Sequence, residues 1–343
     1  GGANVAVGTF ALYNNTTASN NTACGYNALL ANTTGTSNVA VGKDAADSNT
    51  TGSFNTAVGH DALQSNTTPD ANTAIGYNTL TANTSGAQNT AVGANCLDSN
   101  ITGGANTGVG RNCLEANTSG ENNVGVGFNA LQGNTSGSRN TALGFQSLDD
   151  NTTANNNVAV GYRSSYFHTT GADNTSVGTE SMYSSTTAHS NTCVGKQAGY
   201  SLTTGGQNVL LGYQAGRGQV AAADFQLYIA VDNTAASNAT TWIYGDVNGA
   251  VYQGNNSTTW STTSDQRLKK DIVANTVGLS IIDNVTVKNF KYKQYSDGSP
   301  VSADDTIDMS EFPKADDVSQ VLIGQGKTET QIGIIAQELE TVA

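Results

Sequence analysis

The chain has 343 residues; 37% are hydrophobic, only 12% are charged, and 14 basic against 27 acidic side chains leave a formal charge of -13. Charged residues fall well below the ~25% of ordinary domains. Asn, Thr, Ser and Gly take their place, which argues against a large-cored enzyme and against charge-driven disorder.

No basic patch that would bind nucleic acid is present, nor an apolar run of the ~18–20 residues a membrane helix needs. No signal peptide is visible. Four cysteines are too few for a disulfide scaffold. A start at Gly1-Gly2 in place of Met is expected of a fragment.

Residues 1–217 form a repeat array. From Gly8 and Gly25 to Gly212 a glycine recurs every 17 residues, thirteen times, without insertion or deletion. Asn stands four residues before each of these glycines, from Asn4 to Asn208, and Val or Thr three before. The unit reads N-[TV]-A-V-G-x-x-A-L-x-x-N-T-[TS]-G-x-x. In N-T-A-V-G the Thr or Val and the later Val share one face of a short strand, read here as the packed face. The alanine between them points the other way, where its small volume suits the approach of another chain or rung.

The pairs Ala11-Leu12, Ala28-Leu29, Ala62-Leu63 and Ala130-Leu131 add a second apolar contact. The N-T-[TS]-G stretch turns; its side chains bond nearby backbone, and its glycine is expected at positive φ. The invariant Asn predicts a ladder of amides stacked from rung to rung. One unit has too few apolar side chains to fold alone, so repeats must stack. The core stays thin even then, which points to burial between chains. The alternative is a single-chain solenoid with a complete internal core. At one rung of ~4.8 Å per repeat, the array spans roughly 60 Å.

An ice-binding array is disfavoured because the Thr positions mix with Val on the face read as packed. Calcium repeats would need a regular aspartate, and Asp44, Asp61 and Asp98 hold no common phase. His60, His168 and His189 share no phase and no ligand spacing, so no metal and no cofactor is predicted. Cys96 and Cys113 fall at one repeat position as stacked neighbours, either bonded or as two small buried thiols. Cys24 and Cys193 read as packing residues in strands. In later copies the leucine position becomes Ser165, Met182, Gly199 and Gly216, and the turn gains bulk at Tyr166, Phe167, His168 and Tyr183. Such aromatics are surface decoration or a contact for a receptor or a sugar.

Periodicity stops after Gly212. Residues 218–260 carry strand-like runs at Phe225–Val231, Thr241–Asp246 and Val251–Tyr252, a β neck expected to cap the array. From residue 261 lysines cluster. Val285–Tyr295 alternates as a strand, and Gln331–Val342 reads as the start of an amphipathic helix. The chain stops within or just after it, so this domain is expected to be truncated.

The segment S-D-x-R-L-K-x-x-I from Ser264, then V-x-x-F-x-Y, then G-I-I-A-Q-E-L-E, resembles the intramolecular chaperone of phage tail fibres and tailspikes, the self-cleaving S74 peptidase family. The resemblance covers about 264–343 and is loose across Ser296–Lys327. The shaft separately resembles the repeat arrays of trimeric fibres and adhesins.

The fold implied is mainly β: an elongated homotrimeric shaft of 17-residue period, a β neck and a small α+β chaperone domain. The resemblance assigns self-cleavage to Ser264 and Lys269, with Thr263–Ser264 as the scissile bond. Asp265 is placed to orient the turn or to bond Arg267. A serine hydroxyl needs a base, and a lysine of lowered pKa can serve. The enzyme implied acts once on its own chain, without a cofactor. The partners implied are two further copies, other virion tail proteins and a host-surface receptor or glycan, with no nucleic acid and no membrane insertion. The alternatives are a bacterial trimeric surface adhesin with the same assembly domain, an uncleaved cap, and a glycosidase-bearing spike whose carboxylates lie upstream.

Overall fold

The computed structural model describes residues 1–218, 221–231, 241–245, 251–253, 288–290 and 331–333. The chain divides into two compact units, Gly1–Ser261 and Thr262–Ala343.

In the first unit each repeat makes one rung. Its strand is the three residues before the repeating glycine, from β1 (Val5–Val7) and β2 (Thr22–Cys24) to β13 (Val209–Leu211). Successive strands pair in parallel and in register, Ala6 with Ala23 and Ala23 with Ala40. A further strand, β14 (Leu227–Ala230), continues the stack with Val209 opposite Leu227, a step of 18 residues. The stack therefore runs one rung past the sequence period. Beyond it β15 (Thr241–Gly245) and β16 (Val251–Gln253) add to the same sheet in antiparallel order.

In the second unit β17 (Lys288–Phe290) pairs with β18 (Gln331–Gly333), antiparallel. Gln331–Gly333 is thus a strand, where the sequence pattern predicted the first turn of a helix. An i, i+3, i+4 apolar pattern over so few residues does not outweigh a pairing partner. The rest of that predicted helix lies outside the described residues. No helix occurs among the described residues.

One chain encloses its own core. The strand-centre alanines, the alanine after the turn and the leucine following it are buried from Ala23 to Ala159. The faces of the strand are therefore the reverse of the expected ones. Ala40 is fully buried, while its flanks Val39 and Val41 are each 37% exposed. The interior is too narrow for Val at the strand centre, so the β-branched flanks point out.

Side-chain volumes are matched at two successive places in the stack. A strand centre sits against the residue twelve positions earlier. Where that earlier residue grows to Cys96 or Cys113, the strand centre shrinks to Gly108 or Gly125; a Cβ on Gly108 would lie 2.6 Å from Cys96 Sγ. Cys96 and Cys113 are both buried free thiols. The Cys113 thiol is held well above its ordinary range, by its contact with Cys96 first and by burial second.

Two glycine positions have separate causes. The strand-end glycine has a positive φ, +140° at Gly59, and a Cβ there would overlap the carbonyl of Gly76. The turn glycine was expected at positive φ but is not; at Gly86 the constraint is space, since a Cβ would strike Gly103 O and lie 2.6 Å from Asn83 Oδ1. The left-handed positions fall elsewhere, on the buried leucine among others, with φ of 50° at Leu29 and 53° at Leu63. Gly199 and Gly216 take over that leucine position at φ of 63° and 66°, which removes the Cβ strain.

Two columns of asparagine run inside the roll. In the first, the backbone N–H of Asn21 donates to Asn4 Oδ1 at 2.8 Å, and its own amide donates to Gly35 O at 2.9 Å. The pattern repeats to Asn208. In the second, each amide donates to the Asn amide oxygen 17 residues before it, from Asn32 to Asn151, at 2.6 to 3.2 Å.

Gly108→Ala overpacks the core against Cys96 and should cost about 1–3 kcal/mol. Adding Cys96→Ala should recover most of that loss. Denaturant unfolding of both single variants and the double variant measures the coupling, and purely additive losses would refute the pairing.

Candidate functional site

The residues assigned to self-cleavage, Thr263, Ser264, Asp265, Arg267 and Lys269, lie outside the described residues. The described repeat unit carries the other candidate surfaces.

The outward flanks of the strands make two continuous columns. One is Thr or Val, from Val5 to Val209; the other is almost wholly aliphatic, from Val7 to Leu211. Ile75, Val109, Val126 and Val194 are all exposed on it. Cys24 belongs to this outer column and is exposed, while Cys193, a strand centre, is buried. Reading both as packing residues was correct for Cys193 alone, because the outer column does not face the core. Thr lies on this outer face as well, so its expected place on the packed face does not hold.

The residue after the strand-end glycine forms a further exposed column. Phe128, Phe145 and Tyr162 stack at 5.3 and 5.4 Å between ring centroids, each pair within 12° of parallel. Arg111 and Arg163 cover its two ends at 5.9 and 5.3 Å. Four positions further on, Tyr166, Tyr183 and Tyr200 stack at 5.5 and 5.1 Å. Vertical register turns any aromatic recurring in phase into a stacked column. That signal was present in the sequence as Phe128, Phe145 and Tyr162 at one repeat position.

His168 is not part of the surface bulk of this turn; it is fully buried, in the second asparagine column. Its Nε2 lies 2.6 Å from Gly171 O, so Nε2 donates there, and Nδ1 accepts from Ser185 at 2.8 Å. No donor is left for the amide above, and Asn151 Oδ1 is buried without a partner. Burial holds the His168 pKa below its ordinary value, opposed by the bond to Gly171. His60, by contrast, is at the surface, 2.9 Å from Asp61.

Residues 264–343 match the Peptidase_S74 family, described as chaperone of endosialidase. Comparison with curated proteins and with solved structures finds no match for the chain. The protein combines an N-terminal β-solenoid of 17-residue period with a C-terminal Peptidase_S74-like chaperone domain, an architecture consistent with tail fibres and tailspikes. Among the described residues no helix is long and apolar enough to cross a membrane.

A neutral buried histidine favours folding fully above its unfolded pKa of ~6.5, and that contribution is lost as pH falls towards the depressed folded value. His168→Asn restores a two-proton donor, to Asn151 Oδ1 and Gly171 O. It should raise stability by about 1–2 kcal/mol and remove the loss below pH ~6.5. Thermal melts of both proteins from pH 4 to 8 check this; parallel curves would refute it.

Proposed function

We propose that this chain is the shaft and assembly domain of a homotrimeric viral tail fibre or spike, which contacts a host-surface receptor or glycan and joins other tail proteins of the virion. The chaperone domain brings three chains together and then cuts itself off. The observation that carries this reading is the family match, which begins at Ser264, the residue assigned as nucleophile directly downstream of the solenoid and its added strands.

In the proposed chemistry, Lys269 as the free amine takes the Ser264 hydroxyl proton. The oxygen attacks the Thr263 carbonyl carbon, and the Thr263–Ser264 C–N bond breaks. The proton passes to the released Ser264 amine, leaving an ester. Water then hydrolyses the ester to a Thr263 carboxylate and a free Ser264 hydroxyl. Asp265 and Arg267 hold the turn. The reaction occurs once per chain and uses no cofactor.

The proposed trimer places the outer Thr/Val and aliphatic columns against one another. An uncovered aliphatic face along thirteen rungs is the kind of patch that marks an interaction surface. It supplies the burial between chains that the thin core called for, and does so outside the roll.

Expression of the full chain should give a trimer and a new chain starting at Ser264, read by mass and N-terminal sequencing. Ser264→Ala should stay whole and trimeric, and Lys269→Ala should slow the cut at least tenfold. Cleavage of Ser264→Ala at the wild-type rate would falsify the mechanism.

Cys24 tests the face independently, since Cys96, Cys113 and Cys193 are buried. A short bismaleimide should link chains through Cys24 in the trimer. Rapid, complete labelling by a bulky maleimide in a mass-verified trimer, with no cross-link, would remove this face from the interface.

A further inference from the structure

Outward positions alternate with inward ones past both ends of each strand. On one rung Phe54 is exposed, Asn55 buried, Thr56 outward, Ala57 buried, Val58 outward and His60 exposed. The fifth residue before the strand-end glycine and the first after it therefore form two flanking columns, on either side of the Thr/Val and aliphatic columns. The leading flank is small, polar or acidic on most rungs. Its one aromatic is Phe54 and its one cation is Arg139. Phe54 is 64% exposed. Arg111, Arg163 and Arg217 each lie over a ring of their own chain, and among the described residues Arg139 lies over none.

The trailing flank carries rings at the same two heights. His60 is on the rung of Phe54 and packs at 5.6 Å on Tyr77 of the following rung. Phe145 is on the rung of Arg139, stacked between Phe128 and Tyr162. Both faces of the Phe145 ring are taken, so its exposed edge suits an aliphatic stem and not a cation. The Arg139 stem is one, and its Nε is held by Asn156 Oδ1 at 2.7 Å.

Within one chain the two flanks cannot meet, because six extended residues separate them by about 20 Å. A partner that joins them along the stack must repeat at the rung spacing, and a second copy of the chain does. Three copies around an axis, strand faces inward, set the leading flank of each against the trailing flank of the next. Such a head-to-tail contact closes into a ring. The two strand columns alone are ~7 Å wide over roughly 60 Å; shared between two neighbours, they bury about 400 Å² per pair of chains. Chance contacts reach that size, below ~800 Å². Both flanks widen the face to about 20 Å and the burial to about 1,200 Å², the lower edge of specific interfaces.

We propose that, in the homotrimer on which this inference rests, the flank of Phe54 and Arg139 docks on the flank of His60 and Phe145 of the next chain, equal rungs level. Phe54 seats on the His60–Tyr77 pair, and the Arg139 stem lies across the edges of the Phe128–Phe145–Tyr162 stack. A slip of one rung brings Arg139 level with Phe128 or Tyr162, each of which already carries an arginine. A slip in one direction also sets Phe54 against the charged Lys43, which is paired with Asp44. These two side chains fix the register between chains that the near-identical rungs leave open.

The full chain with Cys24→Ser is the background for the test, since Cys96, Cys113 and Cys193 are buried. Two cysteine pairs are introduced separately: Arg139→Cys with Phe145→Cys, and Phe54→Cys with His60→Cys. A disulfide within one chain is excluded, because its Cα atoms must lie within ~7 Å. Pairs joined from chain to chain close a ring, so oxidation by diamide should give a covalent trimer on non-reducing gels. Each single variant should give none, and Arg139→Cys with Tyr162→Cys, one rung off, at least fivefold less. Native mass measurement before oxidation separates this contact from the reading beneath it. A monomer would overturn both. A trimer in which either level pair gives no covalent trimer, stops at covalent dimers, or links no better than the off-rung pair would overturn the contact and leave the trimer standing.

Discussion

The length of the repeat is held by side-chain amides. Each Asn of the first column accepts the next rung's backbone N–H and donates to a carbonyl fourteen residues on, as Asn38 does to Gly52 O at 2.8 Å. Both bonds are buried, so a one-residue insertion would leave a donor and an acceptor unpaired away from water, each at a cost of about 1–3 kcal/mol. Thirteen copies without an insertion follow from that cost. The first insertion comes where the column ends. The next partner of Asn208 is the backbone N–H of Gln226, 18 residues on, and the Gln226 side chain turns to Asp224 O. The sheet keeps its parallel pairing through this step.

The same close stacking decides which residue goes inside. Through β13 the rungs sit near enough that the strand end is always Gly, and the roll is narrow enough that the strand centre takes Ala, Gly, Ser or Cys along most of its length. Interior size, not hydrophobicity, sorts the residues. Larger apolar groups at the strand centre come only near the end of the stack, at Leu210 and Tyr228; Leu210 lies against Gly199, where a Cβ would stand 3.0 Å from Leu210 Cδ1. The Ser164–Ser176 contact at 2.8 Å fills the same slot with a polar pair.

This explains which parts could be read in the amino-acid order. Stacking, the first thirteen rungs and the amide ladder follow from one exact period and one invariant Asn, and the buried Ala-Leu pairs follow from their phase. The faces of the strand were misread because the more apolar side was assumed to be the inner one. The fourteenth rung was hidden by a single inserted residue and by Ala230 in place of the strand-end glycine. The left-handed leucines gave no signal until Gly199 and Gly216 are set in their column. For the C-terminal domain the legible part is the S-D-x-R-L-K segment and its match; its chemistry is proposed from residue types, not from geometry.

Near-identical rungs also create a folding problem that bears on the proposed role of that domain. A strand displaced by 17 residues meets an almost equivalent partner, so register is weakly specified along the array. The outer aliphatic columns raise the same ambiguity between chains, because a partner shifted by one rung buries nearly the same surface. Local defects help to break the degeneracy: the Cys96–Gly108 and Cys113–Gly125 pairs fit two successive rungs and His168 in an asparagine column fits one. These marks act only after stacking has begun. In the proposed role, an assembly domain that aligns the chains once would let growth from that alignment carry the correct register through every later rung. Its removal afterwards would leave a shaft held by contacts too numerous to re-sort.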